Sequence, residues 1–264
     1  MGPGQIIARG RTAEVFSWKE NQVLKLFLEG RDVGSIEHEA QVTSAVHNLG
    51  LPVPSVGGIV QVQDRLGIVF ERVNGPSMLQ VLRSNPWRIG ELTAIMAKLH
   101  FEIHLHDMPQ LSSLREDLKK TINELVDLPQ EVRRKILDRL EQLPDGTAIC
   151  HLDFHPDNII MSSHGPVVID WTGVKRGDPL ADVTSASLLL RAAAVPQFMA
   201  QKWLFNMVRN WFRSSYLKKY QRLRPASPAQ MTGWELPLIA GRLADNIPEE
   251  RDMILAYLEK SLLS

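Results

Sequence analysis

The segment from residue 149 to residue 171 constrains the fold of this chain more than any other part of it. Asp153 and Asn158 lie in this segment at the spacing H-x-D-x-x-x-x-N, and Asp170 follows twelve positions after Asn158. Between Asn158 and Asp170, two short apolar runs flank a polar turn, which is typical of a β-hairpin. Because a hairpin brings the outer ends of its strands together, Asn158 and Asp170 are predicted to lie side by side. The sequence therefore predicts a compact strand-and-loop region, 147–171, within an otherwise helical stretch.

These three side chains have the chemistry that phosphoryl transfer to a hydroxyl group requires. The reaction needs a carboxylate that orients the hydroxyl and accepts its proton, and oxygen ligands that hold Mg²⁺ against the phosphates. We predict Asp153 as the catalytic base and Asn158 and Asp170 as the metal ligands. Taken alone, Asp153 would more often be a turn former or a helix cap, and Asn158 would more often be a turn residue. The occurrence of all three in this order favours the catalytic interpretation.

The segment resembles the catalytic and metal loops of the aminoglycoside phosphotransferase and choline kinase group, within the protein-kinase-like fold. The usual pattern of that group is H-G-D-x-H-x-x-N followed by I-D-W or I-D-F, and here Leu152 stands in place of the glycine. Residues 177–182 resemble the G-D-P-x-x-D element of the group, whose acidic residues are mainly structural. The resemblance covers about residues 6 to 190.

The resemblance implies a two-lobed α+β fold with a small β-rich N-terminal lobe and a larger helical C-terminal lobe. The turn residues 74–76 (Asn-Gly-Pro) predict the link between the lobes. This link divides the chain into a nucleotide-binding lobe, 1–73, and a catalytic and acceptor-binding lobe, 74–264. Alternation and turn signals predict strands at 14–18, 23–27, 58–62, 66–73, 159–161 and 167–169. Helices are predicted at 35–49, 77–84, 89–106, 113–126, 129–142, 180–194, 197–221, 229–244 and 248–262.

Lys25 is the first candidate in the N-terminal lobe. It lies in the apolar strand sequence Val-Leu-Lys-Leu-Phe, where an ammonium group is costly without a partner. Glu39 on the following helix is the predicted partner, since Glu37 lies about 200° away around that helix. The resemblance implies that Lys25 and Glu39 align the α- and β-phosphates of a nucleotide, ATP or GTP.

Two further segments are candidate nucleotide contacts. Gly10, Arg11 and Thr12 lie in the segment 8–13, where the resemblance implies a glycine-poor loop over the phosphates. An ordinary hairpin turn is the alternative. Glu71 to Val73, just before the link, would be the hinge that offers backbone hydrogen bonds to adenine, with a plain strand end as the alternative.

The predicted acceptor is a hydroxyl group of a small molecule. Asp170-Trp171-Thr172-Gly173 runs within a few residues into Gly177-Asp178-Pro179, which leaves no room for the activation segment of a protein kinase. The stretch 191–224 has eight basic residues and no acidic one, a pattern that argues against a polycationic aminoglycoside and fits a neutral or anionic acceptor. A solvated helix face is the alternative. The aromatic residues of this stretch are predicted to be core because of their helical spacing: Trp203, Trp211, Phe212 and Tyr216.

Charge and cysteine content bound the class of protein. Thirty basic and thirty acidic residues balance, so we predict binding neither to nucleic acid nor to a membrane surface. The lone Cys150 allows no internal disulfide and is predicted to be buried. There is no signal-peptide pattern at the start and no apolar run of membrane-spanning length, which favours a cytoplasmic location. The oligomeric state is left open.

Histidine pairs raise the question of a metal site. His100 and His104 have i, i+4 spacing on a predicted helix, and His106 follows. No third ligand is evident near them in the sequence, so we predict a structural or surface role. His151 and His155 are predicted to brace the catalytic loop through hydrogen bonds.

Two other functions remain open at this stage. A metal-dependent hydrolase would use the histidines and aspartates at 151–170, namely His151, Asp153, His155, Asp157 and Asp170. That interpretation leaves Lys25, Glu39 and Asn158 unexplained. A nucleotide-binding pseudokinase would have the same fold without activity, but Lys25, Asp153 and Asp170 are all intact.

Overall fold

The structure is a computed structural model, and it describes residues 2–126, 128–192, 202–245, 251–252 and 254–258. Contacts between residues divide the chain into two compact units. The first unit comprises Met1–Arg88 and His155–Gly173, and the second comprises Ile89–Phe154 and Val174–Ser264. This is a different division from the predicted lobes 1–73 and 74–264, which stay a prediction.

The secondary-structure elements are numbered in chain order. The strands are β1 (Ile6–Arg9), β2 (Ala13–Ser17), β3 (Gln22–Phe27), β4 (Val56–Val62), β5 (Arg65–Glu71), β6 (Ala148–Cys150), β7 (Ile159–Ser162), β8 (Gly165–Val168) and β9 (Lys175–Gly177). The helices are α1 (Val33–Asn48), α2 (Met78–Ser84), α3 (Ile89–Ile103), α4 (Leu114–Glu124), α5 (Gln130–Glu141), α6 (Pro179–Ala192), α7 (Lys202–Leu223), α8 (Pro228–Gly233) and α9 (Glu235–Gly241).

The first unit is built on an antiparallel sheet of five strands in the order β1-β2-β3-β5-β4. The strand β3 alternates, so that Leu24 and Leu26 pack on one face with Val69. Phe27 packs on the other face, against Ile36 of α1. Lys25 shares the α1 face with Phe27 because side chains two positions apart point the same way.

Residues at both ends of helix α1 define where it begins and where it ends. The Asp32 side chain accepts a hydrogen bond from the Ser35 backbone N–H at 2.8 Å, which caps the N-terminus. Gly50 has φ +80° just beyond the last turn, a left-handed conformation that glycine adopts without steric cost. The helix thereby holds Glu39 at a defined position opposite the sheet.

The strands β7 and β8 form the predicted hairpin, with Ile159 opposite Val168. This hairpin lies in the first unit with α2 and with the turn at Gly75. A side chain at Gly75 would place its Cβ 2.3 Å from the Met161 carbonyl oxygen. Glycine at this position therefore allows the chain to pass directly beside β7.

The second unit is mainly helical. Helix α3 packs against α7, and α6 packs against α7, α8 and α9. The short strands β6 and β9 pair antiparallel, and β6 leads directly into the loop that contains Asp153. None of the helices in the described residues is long and apolar enough to cross a membrane.

Two sequence predictions in this unit are wrong. The predicted helix 229–244 is two helices, α8 and α9, joined at Trp234 and followed by a 3₁₀ turn. Pro237 explains the break, since it has no N–H to donate to the Gly233 carbonyl. Trp203 and Trp211 are 66% and 56% exposed rather than core. The predicted helix residues 193–194, 197–201, 248–250, 253 and 259–262 lie outside the described residues.

Candidate active site

Lys25 is the centre of a polar cluster in the first unit. Its Nζ lies 2.6 Å from Glu39 Oε1 and 2.9 Å from Asp170 Oδ1. Glu39 is 1% exposed, whereas Glu37 faces solvent on the same helix. The predicted contact between Lys25 and Glu39 is therefore present, and the alternative partner points elsewhere.

The electrostatics of the cluster keep Lys25 charged. Burial alone would lower the pKa of Lys25, but the negative charges of Asp170 and Glu39 outweigh it and raise the pKa above its ordinary value. The ammonium group is thus a fixed positive charge facing two carboxylates. One of those carboxylates, Asp170, is 40% exposed and remains accessible to a ligand.

Thr172 completes the cluster, and sequence reasoning missed it. Its Oγ1 lies 2.7 Å from Asp170 Oδ1 and 2.9 Å from Glu39 Oε2. It also lies 3.4 Å from Lys25 Nζ. A hydroxyl has a single proton, so Thr172 donates to one carboxylate at a time and ties the two acidic residues together. Its position two residues after Asp170 was the available signal.

Asn158 directly precedes β7, and Asp170 follows the end of β8 by two residues. The Ile169 N–H donates to the Asn158 carbonyl at 3.0 Å, so the backbone at Asn158 lies beside the residue that precedes Asp170. Asp170 itself has φ +65°, a left-handed conformation that aspartate tolerates better than most residues. An amide oxygen and a carboxylate are hard oxygen donors of the kind Mg²⁺ prefers. This donor set fits the predicted metal.

The acidic and histidine residues between Asp153 and Asn158 have other partners. His155 Nδ1 accepts from the Asp157 N–H at 3.2 Å and begins a 3₁₀ turn. Asp157 Oδ1 accepts from the Ser77 hydroxyl at 2.6 Å. These contacts hold the loop to the start of α2, so His155 braces the loop as predicted. Among the residues that the structure describes, neither His155 nor Asp157 belongs to a group of three or more histidine, cysteine or carboxylate side chains close enough to share a metal ion.

The loop that contains Asp153 is held in the second unit by Asp182. This buried carboxylate of α6 accepts from the backbone N–H groups of His151 and Leu152, the latter at 2.8 Å. The Leu152 carbonyl in turn accepts from the Ser185 hydroxyl at 2.7 Å. Leu152 has φ +65°, at the position where the resembling group has glycine. The Asp182 and Ser185 contacts hold this unfavourable conformation in place.

The two acidic residues of the element 177–182 are structural, as the resemblance implies. Asp178 Oδ1 accepts from the Leu180 N–H at 3.1 Å, and Asp178 Oδ2 accepts from Trp234 Nε1 at 2.9 Å. Cys150 is fully buried nearby, and burial raises the pKa of its thiol. Cys150 is therefore a small core residue, as predicted.

His100 and His104 lie beneath the same loop. Their Nε2 atoms are 3.0 and 3.2 Å from Asp182 Oδ2, and their Nδ1 atoms are each 2.6 Å from a tyrosine hydroxyl, of Tyr216 and Tyr220 respectively. Within the described residues, this is the group of histidines and carboxylates close enough to share a metal. The third member, Asp182, was missed because it lies 78 positions from His104 in the chain.

The predicted nucleotide loop and hinge are both in the first unit. Gly10, Arg11 and Thr12 form an exposed turn between β1 and β2, in which the Gly10 N–H donates to the Ala13 carbonyl at 2.8 Å. The Glu71 side chain accepts from the Ser55 hydroxyl at 3.0 Å. The Val73 N–H has no hydrogen bond to any described residue. The roles of these residues toward a nucleotide stay predictions.

Comparison with known proteins gives the family. Residues 4–224 match the model of the phosphotransferase enzyme family. None of the curated proteins compared matches the chain.

Solved structures resemble the chain over nearly its whole length. One is an aminoglycoside-3'-phosphotransferase of type VIII, with 19% identity over 91% of this chain and 94% of that chain at a TM-score of 0.63. Another is amicoumacin kinase in complex with AMP-PNP, Ca²⁺ and Ami, with 15% identity over 98% and 89% at a TM-score of 0.64. A choline/ethanolamine kinase family protein from Mesorhizobium loti has 16% identity over 97% and 87% at a TM-score of 0.61.

These likenesses confirm the predicted fold class, a protein-kinase-like fold with a small antiparallel sheet in the N-terminal part and a helical C-terminal part. The family match spans most of the chain and includes every residue of the Lys25 cluster and of the Asp153 loop. On this ground the chain belongs to the phosphotransferase enzyme family.

Proposed function

We propose that this chain is a small-molecule kinase that transfers the γ-phosphate of ATP to a hydroxyl group. The observation that carries the proposal is the contact of Lys25 with both Glu39 and Asp170. A lysine on a strand, paired with a helix glutamate and adjacent to a metal-binding aspartate, is the arrangement that phosphoryl transfer uses to align phosphates. The similar amicoumacin kinase structure contains AMP-PNP and Ca²⁺, which supports a nucleoside triphosphate with a divalent cation as the donor.

Each residue has one role in this proposal. Lys25 binds the α- and β-phosphates, and Glu39 keeps its ammonium group oriented. Asn158 and Asp170 would hold Mg²⁺, which supplies positive charge to the phosphate oxygens during transfer. Thr172 bonds the Asp170 carboxylate and keeps it turned toward Lys25.

Asp153 orients the acceptor. Its carboxylate accepts a hydrogen bond from the acceptor hydroxyl and then takes the proton. The acceptor oxygen forms a bond to the γ-phosphorus as the bond from that phosphorus to the bridging oxygen of ADP breaks. The products are the phosphorylated acceptor, ADP and one proton.

We propose a neutral or anionic acceptor rather than a polycation. The basic stretch 191–224 contains no acidic residue, whereas a pocket for a polycation needs acidic lining. Several of the basic side chains in this stretch contact other residues of the second unit. Arg191 lies 3.9 Å from Glu235, and Arg213 donates to the Ser187 hydroxyl at 2.7 Å. Efficient phosphorylation of kanamycin or a related aminoglycoside would contradict this part of the proposal.

The test is ADP release with ATP and Mg²⁺ over a panel of hydroxyl metabolites and aminoglycosides, with wild type and Asp153→Asn in parallel. We expect at least one acceptor to stimulate release, and Asp153→Asn to reduce turnover by about 10²-fold or more while ATP binding is retained. Equal turnover in both proteins would refute Asp153 as the base. Nucleotide binding without turnover on any acceptor would instead support a nucleotide-binding module.

A further inference from the structure

A fully buried polar network lies beneath the Asp153 loop and is not explained by the proposed reaction. It consists of five side chains that are each at most 3% exposed and that come from α3 and the turn after it, from α6 and from α7: His100, His104, Asp182, Tyr216 and Tyr220. Burial of this many polar groups is costly unless their hydrogen bonds are satisfied. The cost of burying these polar groups must therefore be offset by hydrogen bonds among them and with the neighbouring backbone.

Asp182 is the acceptor at the centre of the network. Burial raises the pKa of Asp182, but the neighbouring His100 and His104 more than offset this effect and hold it well below its ordinary value. An ionised carboxylate can only accept hydrogen bonds. The backbone N–H groups of His151 and Leu152 donate to it, and so does His104 Nε2 at 3.2 Å. His100 Nε2 lies 3.0 Å from the same oxygen and must carry a proton as well, because two unprotonated acceptors at that distance would repel each other.

This requirement fixes the proton positions throughout the network. His100 and His104 carry their protons on Nε2, which faces Asp182. Burial lowers the pKa of both imidazoles, that of His104 to about 4, so Nδ1 in each ring is an unprotonated acceptor. Burial also raises the pKa of both tyrosines. Each tyrosine hydroxyl therefore donates to the Nδ1 atom that lies 2.6 Å away.

The hydrogen bonds of Asp182 disfavour a cation among these residues. Asp182 Oδ1 accepts from Leu152, and Asp182 Oδ2 accepts from His151 and His104. His100 Nε2 lies 3.0 Å from Oδ2 but off the direction of a regular hydrogen bond. Three of the about four lone-pair sites of the carboxylate are thus occupied by N–H donors, and each Nε2 that faces it carries a proton, so a metal would have to displace these donors.

We propose that Tyr216 and Tyr220 are positioning residues for the Asp153 loop, acting through the two histidines. Each tyrosine sets the tautomer and ring orientation of one histidine, and the two rings orient the Asp182 carboxylate. Asp182 then holds the backbone at 151–152, immediately before Asp153. The part of this inference that concerns catalysis depends on the proposed function of Asp153, whereas the part that concerns the loop does not.

The first test uses the unmodified protein. Nitrogen-15 NMR of the histidine side chains distinguishes the two tautomers, and we expect His100 and His104 to be neutral with the proton on Nε2. A proton on Nδ1 of either ring would overturn the proposal. Stoichiometric transition metal in the purified protein, measured by elemental analysis, would overturn it as well.

The second test is hydrogen exchange in Tyr216→Phe and Tyr220→Phe, which remove a hydroxyl and keep the ring. We expect the amides of His151 and Leu152 to exchange about tenfold faster or more than in wild type. Tyr257→Phe is the matched control, because its hydroxyl bonds Glu235 at 3.2 Å, outside the network. Unchanged exchange at His151 and Leu152 would refute the proposal.

Two further readouts separate positioning from a general loss of stability. The Ile149 amide donates to the His106 carbonyl at 3.0 Å in the same unit, and equal acceleration there would mean general loosening and would refute the proposal. With an acceptor in hand, both network variants should lose about tenfold or more in kcat with unchanged KM for ATP. Faster loop exchange in a chain that transfers no phosphate would support the network and refute the proposed kinase.

Discussion

Replacing Glu39 with glutamine tests the charge arrangement on which the proposed function depends. Glutamine keeps the size of the side chain and removes its charge, so the 2.6 Å contact with Lys25 changes from an ion pair to a hydrogen bond between the ammonium group and a neutral amide oxygen. Removing one partner of a buried ion pair costs about 3–5 kcal/mol when the remaining charge is left without compensation. Because Asp170 still faces Lys25 at 2.9 Å, the buried ammonium is not left alone. The expected loss is therefore about 1–2 kcal/mol.

This loss should appear in nucleotide binding. Without the Glu39 carboxylate, Asp170 is the only carboxylate of the Lys25 cluster in the described structure. We expect Lys25 to shift toward Asp170 and to neutralise this carboxylate, which would hold the metal. A loss of 1–2 kcal/mol corresponds to a roughly 5- to 30-fold weaker affinity for Mg²⁺-ATP. Isothermal titration calorimetry of wild type and Glu39→Gln measures it directly.

Glu37→Gln is the matched control, since Glu37 lies on the same helix and faces solvent. It removes the same charge from the protein without touching Lys25, and we expect wild-type affinity. If the two variants bind Mg²⁺-ATP equally well, the reasoning from the Lys25 cluster is refuted.

Three further predictions concern Thr172, His104 and Leu152. Thr172→Val should lower the free energy of unfolding by about 1–2 kcal/mol, because it removes the hydroxyl that bridges two carboxylates, and Thr172→Ser should restore most of it in urea titrations. The pKa of His104 falls from 6.5 to about 4 on folding. The neutral His104 ring therefore contributes fully to the free energy of unfolding above pH 6.5, and this contribution is lost as the pH falls through 4. The difference is about 3 kcal/mol, and melting temperatures between pH 7 and 4 should fall less steeply in His104→Gln than in wild type. The free energy of unfolding of Leu152→Val should be lower than that of Leu152→Gly by about 1–2 kcal/mol, because a β-branched residue is strained at φ +65° and glycine is not. Equal free energies of unfolding in urea titrations would contradict this prediction.

The sequence alone predicted those parts of the site that depend on short spacing. The hairpin between Asn158 and Asp170 follows from two apolar runs around a polar turn, and the structure contains it, with Ile159 paired to Val168. The preference for Glu39 over Glu37 follows from the geometry of one helix turn and the cost of burying Lys25 without a partner. In each case the partners belong to one element or to adjacent elements, so local rules are sufficient.

Only the tertiary structure identified the partners that are distant in the chain. Thr172 contacts Glu39 across 133 positions, and a threonine in a loop has no pattern that predicts such a partner. The burial of His104 against Tyr220, 116 positions away, depends on how α3 packs on α7. Periodicity identifies the buried face of a helix, but the opposing residue is set by the packing of the helices, which no short segment encodes.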